Sequence, residues 1–375
     1  VLFKEVIGQE EVKKSLITNV KKGRISHAQL FVSGKGTGGI PLAIAYAQYI
    51  LCENRSDNDS CGECPSCKKI KQLSHPDVHF SYPFILSEPK VNSDRFISDW
   101  RIQVLKEPYF DLEEWNIAMD AGTKKPIINV EEAINISHKI GLKSFEGGYK
   151  ILILWMPEMM NPQTANKLLK LLEEPPDKTL FIFVSHNQEQ LLTTIQSRMQ
   201  VVKLQSLSVN EVCDYLINNY QVQEEVAHEL ALLSELDVTM ALQLLKNNEG
   251  GGVMINTFIE WMRLCYKRDA VEAVDWVDKI TKEFGREEQK NFLLYCLQMF
   301  RQCIIGHYSK GDLIMSTKEQ KAFLTKFAPF INAQNIVPLH ESLEEAIYHL
   351  DRNGNSKLVL LDVTLKVFAQ IKKVT

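Results

Sequence analysis

The sequence predicts an α/β domain built on a parallel sheet, followed by an all-helical remainder. Three observations predict it. A strand runs straight into a glycine-rich loop and then into an apolar helix. The later strands are continuous apolar runs, as in a sheet covered on both faces. The chain past about residue 206 carries helical spacing of its apolar residues.

The elements follow in order. Residues 1–30 read as one or two helices leading into the strand Gln29-Leu30-Phe31-Val32-Ser33. Gly34-Lys35-Gly36-Thr37-Gly38-Gly39 follows at once, and then a helix from about Leu42 to Leu51. Strand, glycine loop and helix in that order open a phosphate-binding α/β domain. Lys150–Trp155, Leu180–Val184 and Val201–Leu204 are further apolar strands. A helix from Asn161 to Leu172 stops at Glu173-Glu174-Pro175-Pro176, because proline cannot continue it. Residues of about 85–126 carry Phe96, Trp100, Tyr109, Phe110 and Trp115, too many aromatics for a disordered linker, and predict an ordered, partly helical insertion. Short helices are expected over 206–248, and a hinge at Glu249-Gly250-Gly251-Gly252. Beyond it, Phe292, Tyr295, Cys296 and Met299 share one helix face and Leu293, Leu297, Phe300 and Ile304 an adjacent one. Leu358, Leu361, Leu365 and Phe368 mark the buried stripe of a final amphipathic helix.

With 375 residues the chain has length for two or three domains, and its 45% hydrophobic and 24% charged residues are ordinary for a globular protein. The net charge of −4 speaks against a strong nucleic-acid binder working alone. No run of 18 apolar residues marks a membrane span, and the opening Val1-Leu2-Phe3-Lys4-Glu5 has no signal-peptide core, which places the expected location in the cytoplasm.

Four of the eight cysteines cluster as Cys52, Cys61, Cys64 and Cys67, C-x8-C-x2-C-x2-C. Two-residue spacings turn neighbouring thiolates toward one point, and four sulfurs close a tetrahedron around Zn²⁺. An iron–sulfur cluster is the other chemistry four thiolates support, but no acceptor, flavin or haem motif accompanies it. With no open ligand position, the expected zinc is structural. Cys213, Cys265, Cys296 and Cys303 read as small buried hydrophobes.

The glycine loop lacks its working residues. Gly34 and Gly39 hold the two glycine positions of G-x-x-x-x-G-K-[ST], with Gly36 and Gly38 between them, but Ile40 stands in place of the lysine and Pro41 in place of the hydroxyl residue. Lysine brings a cation to the β/γ-phosphates and the hydroxyl ligates Mg²⁺; isoleucine and proline do neither. At the end of strand 150–155, where acidic residues would hold the metal, the sequence has Trp155-Met156-Pro157, and Glu158 comes too late. Neither ATP hydrolysis nor ATP binding is expected of this chain. No carboxylate cluster suited to two metals suggests a polymerase or nuclease centre.

Taken together, these residues resemble the delta-prime family of bacterial DNA polymerase III clamp-loader subunits, within the AAA+ superfamily. The stretches that carry the resemblance are Phe3–Gln9, His27–Phe31, the four-cysteine module, His75-Pro76-Asp77, Phe145–Lys150, Asn166–Pro176 and Ser197-Arg198-Met199. It is dense over residues 1–205 and weak beyond. Two departures stand out: the 85–126 insertion, and Met199 where the family triplet ends in cysteine. The resemblance implies a RecA-like AAA+ domain over 1–205 with its zinc module at 52–67, a helical lid over 206–250 and a helical oligomerisation collar over 251–375. It implies a ring with gamma/tau and delta subunits that loads a sliding clamp on primer-template DNA. In that ring Arg198 would reach the ATP of a neighbouring gamma/tau subunit as a trans-acting finger, with Ser197 orienting the loop. Two other readings stay open: an ATP-hydrolysing gamma/tau-type subunit, and a zinc-dependent nucleic-acid-binding protein.

Overall fold

A computed structural model describes residues 1–88, 90–122, 124–248, 253–308 and 318–371. The expected hinge at 249–252 lies outside them. The chain divides into two compact units, Val1–Leu242 and Gln243–Thr375.

The first unit contains α1 (Glu10–Lys21), β1 (Ala28–Val32), α2 (Gly39–Leu51), α3 (Pro65–Lys71), β2 (Val78–Ser81), α4 (Ile97–Lys106), α5 (Leu112–Ala118), α6 (Val130–Gly141), β3 (Lys150–Trp155), α7 (Pro162–Glu173), β4 (Thr179–Ser185), α8 (Thr193–Gln196), β5 (Gln200–Lys203), α9 (Val209–Tyr220) and α10 (Glu224–Leu233). The unit boundary falls within α11 (Val238–Asn248). The five strands form one parallel sheet in the order β2-β3-β4-β1-β5. β3 and β4 are buried along their whole lengths, which is why their sequences read as unbroken apolar runs. One face is packed by α2 and the insertion aromatics, the other by α6, α7 and α8. β2 was not expected. It is a four-residue strand at the sheet edge with polar His79 and Ser81 alternating with Val78 and Phe80, too short to stand out by pattern.

The insertion is ordered and supplies part of the core. Trp100 stacks on Tyr82 at 4.1 Å between ring centroids and meets Trp115 edge-on at 5.3 Å, while the Trp115 indole N–H donates to the Pro83 carbonyl at 2.7 Å. Asn129 caps α6 by accepting from the Glu132 amide, and the buried Glu132 carboxylate accepts from the amide and hydroxyl of Ser93 in the insertion. Burial holds the Glu132 carboxyl above its ordinary range.

Several motif residues prove to be joints. Gln9 exchanges two hydrogen bonds with the backbone of Gln205, tying the N-terminal segment to the chain leaving β5. Buried Asp77 accepts from the Ser144 hydroxyl (3.1 Å) and from the amides of Phe145 (2.7 Å) and Glu146 (2.9 Å), which fixes the loop entering β3. Asp77→Ala would take the acceptor from those partly buried amides. The expected loss is ~1–2 kcal/mol in the stability of the first unit, read from denaturant midpoints.

The second unit is all helical: α12 (Val253–Lys267), α13 (Ala270–Glu283), α14 (Arg286–Tyr308), α15 (Lys318–Phe327), α16 (Ile336–Asp351) and α17 (Ser356–Gln370). Phe292, Leu293, Tyr295, Cys296, Met299 and Phe300 of α14 are buried, so both expected faces of that helix pack. The stripe expected on α17 is corrected. Leu358 and Leu365 are exposed, and the buried face is Leu360, Val363, Thr364, Val367 and Phe368. That helix is apolar around most of its circumference, so spacing could not choose the face. Buried Thr364 supplies the reason for this one: its hydroxyl accepts from the Trp261 indole N–H at 3.0 Å. Among the described residues no helix is long and apolar enough to cross a membrane.

Candidate functional sites at the glycine loop, Arg198 and the cysteine cluster

The glycine loop joins β1 to α2 as expected. Gly36 and Gly38 have positive φ (64° and 90°), which glycine adopts without strain, and Gly38 is the N-cap of α2. Pro41 is the third residue of that helix, where its missing N–H breaks no intrahelical bond. The substitution therefore keeps the helix while removing a donor that phosphate would use. Ile40, at the lysine position, is 5% exposed and belongs to the core.

The surroundings of the loop are filled. A Cβ at Gly36 would collide with the Asp237 carboxylate and the Val238 amide at the start of α11. One at Gly38 would lie 3.1 Å from the Tyr109 ring, and one at Gly39 2.7 Å from the Ser33 hydroxyl. Asp237 accepts from the Met240 amide, and burial raises its carboxyl pKa. An acidic cap at this place opposes a bound phosphate. Sequence reasoning missed both Asp237 and Tyr109. An Asp before a helical run signals a cap, and the aromatics signal order, but neither signal says that the residue meets a loop 70 to 200 positions away.

At the ends of β1, β3 and β4, polar groups satisfy one another. The Trp155 indole N–H donates to His186 Nε2 at 3.3 Å, so Nδ1 carries the proton of the neutral ring and donates to the Ser33 carbonyl at 3.2 Å. Glu158 accepts from the Ser185 hydroxyl (2.8 Å) and the His186 amide (3.0 Å). The space beside Trp155 is taken by Phe110 and Trp100, at 5.0 and 5.6 Å between ring centroids.

Arg198 lies just past α8. Its guanidinium pairs with Glu173: Nε donates at 2.7 Å and Nη2 also contacts Oε1. Nη1 donates to the Thr194 carbonyl (2.8 Å) and the Ser197 hydroxyl (3.3 Å). About one third of the side chain remains exposed (34%). Two sequence motifs thus meet in one device, since Glu173 closes α7 within Asn166–Pro176. Arg198, Ser197 and Glu173 are brought together; none of the hydrogen bonds to Arg198 comes from the glycine loop.

The four cysteine sulfurs lie within 4.8 Å of one another. Sγ of Cys52 and Cys61 are 3.5 Å apart, and those of Cys61 and Cys67 3.9 Å. A tetrahedron with metal–sulfur bonds of about 2.3 Å has edges of roughly 3.8 Å, so the donor set fits a tetrahedral metal. The Cys61 amide donates to Cys52 Sγ (3.2 Å) and the Cys64 amide to Cys61 Sγ (3.3 Å). Amide donors, those of Glu63 and Cys64 foremost, draw the Cys61 pKa down to about 6. The module is stapled to its surroundings. Asp59 accepts from the amides of Phe3 and Lys4, and Glu146 accepts from Ser66 and Lys69 of α3. His75 Nε2 lies 2.9 Å from the same Glu146 carboxylate.

Residues 8–208 match the model of the family described as DNA polymerase III, delta subunit. The DNA polymerase III subunit delta' of Bacillus subtilis is 30% identical over 241 residues, spanning 64% of this chain and 60% of that protein. The subunit tau of Escherichia coli is 26% identical over 230 residues, spanning 60% of this chain and 29% of that protein. The chain thus spans less than two thirds of the length of either relative. A solved gamma subunit-related protein of DNA polymerase III from Thermotoga maritima is 13% identical with a TM-score of 0.41, over 96% of this chain and 99% of that one.

Proposed function

The chain belongs to the DNA polymerase III, delta subunit family, and from that premise we propose that it acts as a delta-prime subunit of the clamp loader. In this reading it neither binds nor hydrolyses ATP, and it offers Arg198 to the ATP held by an adjacent gamma/tau subunit. It assembles with gamma/tau and delta and helps to place a sliding clamp on primer-template DNA. The cysteine cluster holds Zn²⁺ as a folding staple rather than as a catalyst.

The observation that carries the reading is the state of the glycine loop. Ile40 is in the core, Pro41 removes a donor, Trp155 replaces the metal-binding acid, and Asp237 and Tyr109 stand against the loop. A gamma/tau-type subunit would need a cation, a hydroxyl and a carboxylate at those places, although tau is among the relatives. Arg198 is suited to its role because Glu173 and Ser197 hold its guanidinium at the surface, and a planar fork spans phosphate oxygens.

Titration of the chain with Mg-ATP in a calorimeter is expected to give no binding heat. Micromolar affinity would sink the reading and favour an ATP-hydrolysing subunit. Reconstitution with gamma/tau and delta should restore clamp- and DNA-stimulated ATPase only when this chain is present. Salt-sensitive DNA binding by the chain alone would favour the nucleic-acid-binding alternative.

A further inference from the structure

The turn between α4 and α5, Glu107-Pro108-Tyr109-Phe110, touches four separate parts of the first unit. The buried Tyr109 ring lies on Gly38 of the glycine loop, and its hydroxyl accepts from the Ile7 amide at 2.9 Å. Phe110 packs on Trp155 at the end of β3. The buried Glu107 carboxylate accepts from the hydroxyls of Tyr215 (3.2 Å) and Tyr220, both on α9, and from the Tyr109 amide (3.1 Å). Tyr109 also packs against Tyr215, with ring centroids 5.2 Å apart.

These contacts have the character of a ligand's. In open parallel sheets, ligands bind in the crevice beyond the carboxyl ends of the strands. Here that crevice receives an aromatic ring against a glycine, a hydroxyl oxygen on a backbone amide, and a carboxylate on two phenols. Burial and the neighbouring Glu107 carboxylate keep the Tyr215 and Tyr220 phenols protonated, as donors. Glu107 thus holds α9 to the same turn that covers the loop.

We propose that Glu107–Phe110 is an intramolecular ligand: it occupies the crevice above the glycine loop and locks the N-terminal segment, the loop and α9 into one arrangement. The inference rests on the reading of the loop as a site without nucleotide. It assigns the insertion a role that the aromatic content alone did not suggest. A subunit that carries its own ligand keeps the bound arrangement through every nucleotide cycle of its neighbours.

Hydrogen–deuterium exchange of the full chain tests the lock. Tyr109→Ala is expected to speed exchange at least ~10-fold in residues 3–9, 34–42 and 209–220, while β3 and β4 keep their protection, the pattern of a local opening. Tyr109→Phe, which keeps the ring, should speed exchange only around Ile7, and Glu107→Gln chiefly over 209–220. These two milder variants carry the test if Tyr109→Ala does not fold. Exchange in those three segments unchanged from wild type, or raised uniformly through the first unit, overturns the proposal, since either result makes the turn ordinary core. Adding Mg-ATP to the wild-type chain separates the two readings. Protection of residues 34–42 by ATP would end the nucleotide-free reading of the loop, whereas the coupling of the three segments is decided by the variants alone.

Discussion

Replacing Arg198 with alanine is expected to lower ATP turnover at one seam of the reconstituted complex by roughly 10³–10⁵-fold, the effect of removing an arginine finger, and to lower clamp loading with it. Total ATPase would fall only in part, because the other seams keep their own arginines. The chain itself should stay folded. The pair with Glu173 is partly exposed, and such pairs contribute about 0–1 kcal/mol. Arg198→Lys should rescue poorly, since an ammonium lacks the planar fork. Glu173→Ala, which leaves the guanidinium in place but unheld, should give an intermediate rate. Clamp loading at the wild-type rate by the Arg198→Ala complex would exclude Arg198 as a trans-acting group.

The second large effect is expected at the cysteine cluster. Purified protein should carry about one zinc per chain, as a closed four-sulfur site requires. Cys64→Ser should remove most of it and destabilise the first unit by more than ~4 kcal/mol, a size reached when a structural metal is lost. Elemental analysis and thermal denaturation measure the two outcomes together. Iron in place of zinc, or an unchanged melting temperature with the metal gone, would refute the staple. The reason to expect so large an effect lies in what the module holds: the N-terminal segment through Asp59 and the loop entering β3 through Glu146.

Much of the first unit was legible because its strands are buried on both faces and so read as apolar runs, and because the strand, glycine loop and helix follow one another directly. The four cysteines were legible because two-residue spacing is a local constraint. The partners of the glycine loop were not. Tyr109, Glu107 and Asp237 act through contacts with residues far along the chain, and no local pattern encodes such a meeting. β2 was hidden by its shortness and its polar alternation. The buried face of α17 was hidden by a helix apolar on most sides, where a single threonine hydrogen-bonded to Trp261 marks the inward direction. The motif around Glu173 was visible as a motif, but its physical link to Arg198 was not.

The strand order has a consequence for how the chain is made. β1 bonds only to β4 and β5 within the sheet; Leu30 pairs with Phe183 and Val201. At synthesis rates of about 5–20 residues per second, roughly 150 residues separate β1 from its first partner, so it waits on the order of 8–30 s without one. During that wait its apolar residues and those of α2 have emerged together with all four cysteines. A nascent chain that captures metal at once would fold α2 and α3 around the sulfurs and shelter β1 until β4 and β5 arrive. Metal scarcity during translation would then show as aggregation of new chains, while protein already folded remained sound.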